Sequence, residues 1–329
     1  MHKKANRLSG LGMTQTQPSV STSSGVPNID FVKQRYWAFV ITALLLIASM
    51  ASVAVQGLNL GIDFKGGILL EVRSPSTVDI SAWREKLGGL GLGEIQLQEF
   101  GDMSDQASDI SLRIQRQEGD DATQMQAVEK VRAALADQSL IEWRRTEVVG
   151  PTVGRELFMA GITATVLALL GIAAYVAVRF EWQFGVAALL ATLHDVLVTV
   201  GLFSVLQLDF NLTAVAAVLT LAGYSINDTV VVFDRLRENL RKTKQPHLPT
   251  LINLTVNQTL SRTLMTSGTT LIVMIPLAIF GGDTLLNFSV AIIWGILIGT
   301  YSSIYVAASL LLYMPPLRRV AGEDIQKDN

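Results

Sequence analysis

Three places in the sequence set ionisable groups among apolar residues, where such groups must pair, meet water or exchange protons. His194 and Asp195 are consecutive within an apolar run from Phe184 to Leu208. Asp228 closes the segment Gly223–Tyr224–Ser225–Ile226–Asn227–Asp228 inside a run from Leu212 to Phe233, and Arg262 heads a run from Leu264 to Phe280. A charge at the centre of such a run costs about 2.5–3.5 kcal/mol on insertion scales. The chemistry open to a carboxyl group there is reversible protonation, with loss of water and a nearby guanidinium acting as opposing influences. Asp228, set among Gly, Ser, Asn and Thr, is a protonatable group in a hydratable place and the candidate proton carrier. Arg262 reads either as its partner on the next helix or as a snorkelling side chain at the membrane surface. His194 and Asp195 read either as a secondary relay or as a satisfied hydrogen-bonding pair.

The elements that must hold these groups follow from the apolar runs. Half of the residues are hydrophobic and only 16% are charged, which exceeds what a water-soluble core absorbs. A helix rising 1.5 Å per residue needs roughly 20 apolar residues to cross a bilayer core of about 30 Å. Six runs qualify: Trp37–Val55, Leu157–Val178, Phe184–Leu208, Leu212–Phe233, Leu264–Phe280 with Pro276 inside it, and Phe288–Tyr313. If the fourth leaves the membrane near Asp234, Asp228 lies about 9 Å below that end. The fifth starts from the same side, so Arg262 can reach toward it. Small and hydroxylated residues around both, including Thr266, Ser267 and Gly268, suit helix contacts about a polar cavity.

Between the first and second runs lies ordinary polar sequence. Its periodicity predicts strands over Ile68–Arg73, Glu94–Phe100, Asp109–Ile114 and Ile141–Val149, with helices over Val78–Leu87 and Asp121–Asp137. Ile80, Trp83 and Leu87, then Met125, Val128, Val131 and Leu135, give each helix one apolar face. The β-α-β-β-α-β order predicts an α+β ferredoxin-like domain inserted into a polytopic α-helical membrane protein. This insert has no histidine, no Gly-x-Ser-x-Gly elbow and no carboxylate cluster at metal spacing, so a binding or positioning role is expected, without catalysis, metal or cofactor. The expected division is a tail over 1–35, read as largely disordered from Thr14–Gly25, a first span over 36–56, the insert over 57–156, five spans over 157–313 and a tail over 314–329. The first run starts too late and is too long for a signal peptide, and is expected to remain as an anchor.

A net charge of −2, with no basic stripe interleaved with aromatics, argues against a nucleic-acid partner. The absence of cysteine excludes disulfides and thiolate sites. Lys33 and Arg35 before the first run, Arg179 between the second and third, Arg235 to Lys244 between the fourth and fifth, and Arg318 and Arg319 after the sixth fall on one side. The opposite short connections, Asp209–Asn211 and Gly281–Asn287, have no Lys or Arg, so both termini are expected in the cytoplasm and the insert outside.

Four ordered motifs then resemble a known family. They are Gly61–Ile62–Asp63–Phe64–Lys65–Gly66–Gly67; Gly223 through Asp228 to Arg235; Arg262–Thr263–Leu264–Met265–Thr266–Ser267–Gly268; and Gly299–Thr300–Tyr301–Ser302–Ser303. Together they resemble the SecF side of the SecD/SecF family of bacterial protein-translocase subunits, within the resistance-nodulation-division superfamily. The resemblance covers Gly57 to Tyr313, and the short insert favours SecF over SecD. It implies an inner-membrane protein that pairs with SecD, associates with the SecYEG channel and uses the proton gradient to draw unfolded polypeptide outward. It also implies that Asp228 and Arg262 are the proton-relay pair and that Gly66, Gly67, Gly223, Asn227, Thr266, Ser267, Gly299 and Ser302 belong to its structural motifs. Asp63, at the membrane boundary, is expected to fix the entry to the insert. Half of a proton-driven small-molecule or lipid exporter, and a non-transporting scaffold, are the alternatives.

The charge asymmetry makes a direct prediction. Reporter fusions after Asn211 or Asp283 should report the external side and fusions after Lys244 or Arg319 the cytoplasm; a cytoplasmic signal after Asp283 removes the six-span topology.

Overall fold

The computed structural model describes residues 28–93, 95–100, 107–136, 141–243, 247–315 and 317. The readings of residues 1–27, of Lys244 and of Arg318 onward lie outside the described residues. In chain order the elements are α1 (Arg35–Gln56), the single turn α2 (Ile62–Lys65), β1 (Gly67–Ser74), α3 (Ile80–Gly88), β2 (Ile95–Phe100), β3 (Ser108–Ile114), α4 (Asp121–Leu135) and β4 (Glu142–Val149). There follow α5 (Pro151–Arg179), α6 (Trp182–Leu206), α7 (Leu212–Lys242), α8 (Leu248–Phe280) and α9 (Gly282–Tyr301). The last helix continues through a π-helical stretch, Ser302–Ala307, into α10 (Ala308–Leu310) and a 3₁₀ turn, Leu311–Tyr313. Six helices are long and apolar enough to cross a membrane, and the chain is a multi-pass membrane protein.

The inserted domain is a four-stranded antiparallel sheet in the order β2-β3-β1-β4, the split-βαβ arrangement of a ferredoxin-like fold. Alternation decides which face is covered. Ile68, Leu70 and Val72 of β1 and Ile110, Leu112 and Ile114 of β3 are buried against Trp83 and Leu87 of α3 and Val128, Val131 and Leu135 of α4. The opposite face carries Glu71, Arg73, Gln96, Gln98 and Arg113. Asp79 caps α3 by accepting from the amides of Ser81 (2.9 Å) and Ala82 (3.2 Å). One expected contact is corrected: Met125 is half exposed, and Gln124 is buried in its place, its side chain bonded to both backbone groups of Gln117 (3.1 and 2.8 Å). Residue 124, four before Val128, lies on the covered face, whereas 125 is turned about 100° away.

The helices form two shells. Most of the apolar window of α6 is buried (61%), as is that of the last span (61%), while α5 buries only 6% and presents its sides to lipid. Close crossings set this order. A Cβ on Gly201 of α6 would collide with Ser49 of α1, and one on Gly295 of α9 would collide with Leu221 of α7.

The structure extends two helices past their apolar runs. α7 continues to Lys242 and α8 begins at Leu248, so Arg262 stands fourteen residues inside α8 (262 − 248) and not at its mouth. The extra turns are amphipathic and paired with each other: Asn239 Nδ2 donates to Thr255 Oγ1 (2.9 Å) and Gln258 Oε1 (3.0 Å), and Arg235 Nε donates to Gln258 Oε1 (2.7 Å). These polar ladders give no hydropathy signal, which is why the apolar runs end early.

A fragment spanning residues 57–156 is expected to unfold cooperatively on its own, because its core shares no residue with the helices' clusters; a gradual loss of circular dichroism in denaturant would count against this. The amide and then the hydroxyl of Thr123 hold the Asp120 carboxyl, the cap of α4, below its ordinary value of 3.8. The cap's contribution is therefore full above that value and fades as pH falls through the lower folded one. Asp120→Asn should remove this part of the fragment's acid sensitivity.

Candidate functional site

The polar groups of the spans converge on the face where α6, α7, α8 and the π-helical stretch meet. On α7, Ser225 and Thr229 lie four residues apart and face α6 and the π stretch, while Tyr224 and Asp228, also four apart, face α8. Gly223 and Asn227 occupy the next strip round and are exposed.

Asp195 is fully buried, and its carboxylate is filled by neighbours. Oδ1 lies 2.8 Å from His194 Nδ1, and Oδ2 accepts hydroxyl bonds from Ser225 (2.5 Å) and Ser302 (2.7 Å). Three separate helical segments thus bond one carboxylate. Gly299 lies against this group, where a Cβ would sit at ordinary contact distance, 3.4 Å from Ser225 Cβ and 3.6 Å from Asp195 Oδ2. Ser303 extends the contact by pairing with Thr229 Oγ1 at 2.9 Å. His194 is buried with its second ring nitrogen, Nε2, unpartnered among the described residues.

Asp228 is nearly as buried, at 3% exposure, yet poorly held. Thr266 Oγ1 lies 3.4 Å from Oδ1 but only 2.9 Å from the Thr263 carbonyl, and one hydroxyl proton cannot serve both well. Oδ2 has no partner among the described residues. Beside this site Ser267 pairs with Thr300 at 2.7 Å, joining α8 to α9.

The structure does not bring Arg262 into an ion pair with Asp228. Arg262 stands one turn before Thr266 on α8 and is exposed, lining an open cleft of about 530 Å³ between α5, α7 and α8 with Asp234, Glu238 and Gln258. Sequence reasoning singled out Asp228, Ser302 and Gly299 but did not assign Ser225 to Asp195 or pair Thr229 with Ser303. Their spacing at 225 and 229, with serines at 302 and 303, was the available signal.

Asp63 reaches from α2 to accept the Leu212 amide at 2.9 Å and so caps α7, alongside Asn211, whose Oδ1 accepts from Ala214 (2.9 Å). Gly66 and Gly67 have φ of 74° and 137°, and a Cβ at 67 would meet the Ile114 carbonyl at 2.9 Å. Entry to the insert is therefore fixed to the start of α7. Beside it, Arg113 of β3 makes a two-point ion pair with Asp209, with Nη1 to Oδ1 at 2.6 Å, and Asn59 Nδ2 donates to the same Oδ1 (2.9 Å). This joint was missed. Its signal was a lone acid in a short loop without Lys or Arg, opposite an arginine on the uncovered side of β3.

Six membrane-crossing helices, a ferredoxin-like insert after the first and buried carboxylates on two inner helices define the class: a polytopic membrane protein of transporter type. The family model "Protein export membrane protein SecD/SecF, C-terminal" matches residues 128–316, and "SecD/SecF GG Motif" matches 51–74. Proteins described as protein translocase subunit SecF are similar throughout: that of Rhodobacter capsulatus is 45% identical, over 87% of this chain and 89% of its own, and that of Rickettsia bellii 41%, over 86% and 92%. Among solved structures, SecDF of Thermus thermophilus, described as translocon-associated, superposes with a TM-score of 0.76 at 35% identity. That match covers 87% of this chain, which spans 38% of the SecDF chain. The chain belongs to the SecD/SecF family of protein-export membrane proteins, and the relatives it matches over most of their length are SecF subunits.

Ser225→Ala and Ser302→Ala each remove a donor from a buried carboxylate. Each should cost about 1–3 kcal/mol, measured as earlier unfolding of the detergent-solubilised protein.

Proposed function

We propose that this chain is a proton-driven translocase subunit that pairs with a SecD partner, works beside the SecYEG channel and helps draw unfolded polypeptide across the inner membrane. Its termini lie in the cytoplasm and the insert outside, on the Lys/Arg asymmetry of the loops. It carries out transport without bond chemistry. The observation that carries the reading is Asp228: a buried carboxyl group with one oxygen unpartnered, on a helix whose next face is bonded into the protein interior.

On this reading Asp228 binds and releases the proton, and Arg262 biases that exchange by moving toward it or away. The present arrangement, with Arg262 in the cleft of α5, α7 and α8, fits the separated state. Alternating exposure of Asp228 to the two sides then rocks α7 against α8 and moves the insert joined to the start of α7. The exposed amide of Asn227 on α7, beside the small Gly223, supports a partner's spans covering this face, because hydrocarbon does not satisfy such a group. A second reading concerns His194 and Asp195. The unpartnered Nε2 of His194 favours a secondary relay through Asp195, whereas the three bonds on Asp195 favour a fixed packing hub.

Asp228→Asn keeps the size of the side chain and removes its titration. In membrane vesicles it should abolish stimulation of secretion by the proton gradient while leaving gradient-independent secretion in place. Arg262→Lys should retain part of the stimulation if a point charge suffices. Full stimulation in Asp228→Asn would make Asp228 a packing residue and favour a scaffold.

A further inference from the structure

The insert and the helix bundle have separate cores. Ile68, Leu70, Leu112 and Val128 belong to one, while Phe64 of α2 belongs to the other, packed on Phe158 (5.3 Å between rings) and Phe210 (6.0 Å). The boundary between the two bodies therefore falls after Phe64, at Gly66 and Gly67, both in the left-handed region. Past that point, among the described residues, no buried hydrophobic cluster joins the sheet to the bundle. Its uncovered face looks across a polar cavity of about 290 Å³, lined by Glu71, Gln98 and Arg145 on the sheet side and by Asp209, Asn211 and Asn287 on the bundle side.

Arg113 bridges this cavity. It is the sheet's ionic contact with the α6–α7 connection, and its side chain and that of Asp209 remain 30% and 17% exposed. A second open cavity of about 540 Å³ lies along the other side of Arg113, lined by Lys65, Gln96, Gln115 and Arg116. Water can thus reach the pair from two sides, and ion pairs open to water exchange readily with solvent. Asp209 keeps Asn59 as a donor when the arginine leaves, so opening does not strand the carboxylate. Neither partner is packed into an apolar core that would hold it.

We propose that the Arg113–Asp209 pair is a releasable latch between the inserted domain and the membrane helices. Closed, it holds the sheet over the α6–α7 connection. Open, the domain pivots about its two chain connections, Gly66–Gly67 before β1 and Gly150 after β4, and the α6–α7 connection is free to follow α6 and α7, which carry Asp195 and Asp228. The latch itself is independent of proton movement; only its effect on translocation rests on the proposed function.

The chain has no cysteine, so label and cross-link sites can be introduced singly. Spin labels at Met125→Cys on the insert and Val55→Cys on α1, both exposed positions, report the domain's pose in the full-length protein in vesicles. With the latch intact one main distance is expected. Asp209→Asn should add a second, shifted population, and the exchange of Arg113→Asp with Asp209→Arg should remove it again. An unchanged single distance in Asp209→Asn, or a second population that persists in the exchanged pair, overturns the latch. In a separate arm, Arg113→Cys with Asp209→Cys is joined by a reducible bifunctional thiol reagent of about the span of the arginine side chain to hold it shut. Gradient-stimulated secretion should be lost and should return on reduction; full secretion by the cross-linked protein overturns the need for release. Because the spin-label arm does not depend on a proton gradient, failure of the relay at Asp228 leaves its result standing.

Discussion

A carboxylate buried among membrane helices must collect its hydrogen bonds from other helices, and that requirement at Asp195 arranges the interior of this protein. Ser225 comes from α7 and Ser302 from the π-helical stretch, with Gly299 packed beside them. Thr192, Asp195 and Thr199 share the buried side of α6 at helical spacing, which places that helix at the centre of the bundle. The π stretch begins at Ser302, the residue that bonds Asp195, so the departure from α-helical geometry coincides with the donor it must present. The burial of α6 and the lipid exposure of α5 follow from this order of helices.

Asp195 and Asp228 are almost equally buried, and what separates them is the supply of donors. Asp195 has three close partners; Asp228 has one contact at 3.4 Å and a free oxygen. The first arrangement resists change, because shifting α7 or the π-helical stretch breaks a hydrogen bond to a buried carboxyl group in low dielectric. The second has little to lose. The two carboxyl groups meet adjacent faces of α7, through Ser225 in one case and directly in the other, and on the proposed reading α8 can shift against Asp228 while α7 keeps its bond to Asp195. One helix then serves as both anchor and moving surface.

Much of this was legible in sequence because apolar periodicity reports burial directly. The six spans, the βαββαβ order and the apolar sides of α3 and α4 are all consequences of where apolar residues recur. Met125 shows the limit: hydrophobicity put it on the covered face, but the phase of α4 and the bonds of Gln124 to Gln117 decided otherwise. The extensions of α7 and α8 beyond their apolar runs are long paired turns, since Asn239, Thr255 and Gln258 stabilise α7 against α8 through bonds that hydropathy does not register. The placement of Arg262 in a cleft was illegible for a similar reason: the reach of a long side chain depends on where the neighbouring helices leave room. The bonds of Ser225 and Ser302 to Asp195, and of Thr229 to Ser303 beside them, required knowing which helices touch.

The glycine motif after the first span ties these observations together. A hinge is useful only if one side of it is fixed, and three contacts fix the side before Gly66. Phe64 is buried in the bundle's apolar cluster, Asp63 caps α7, and Gly154 of α5 passes so close that a Cβ would lie 2.8 Å from the Phe64 carbonyl. Gly67, by contrast, begins β1 and belongs to the sheet, where its missing side chain lets the Ile114 carbonyl approach. The pair of glycines therefore stands between a segment locked to the start of α7 and a sheet locked to its own core. Any displacement of the start of α7 carries Asp63 and Phe64 with it and must be taken up at Gly66 and Gly67. Substituting other residues there would restrict the backbone angles at one of the two places where the bodies are joined by covalent chain, the other being Gly150 between β4 and α5.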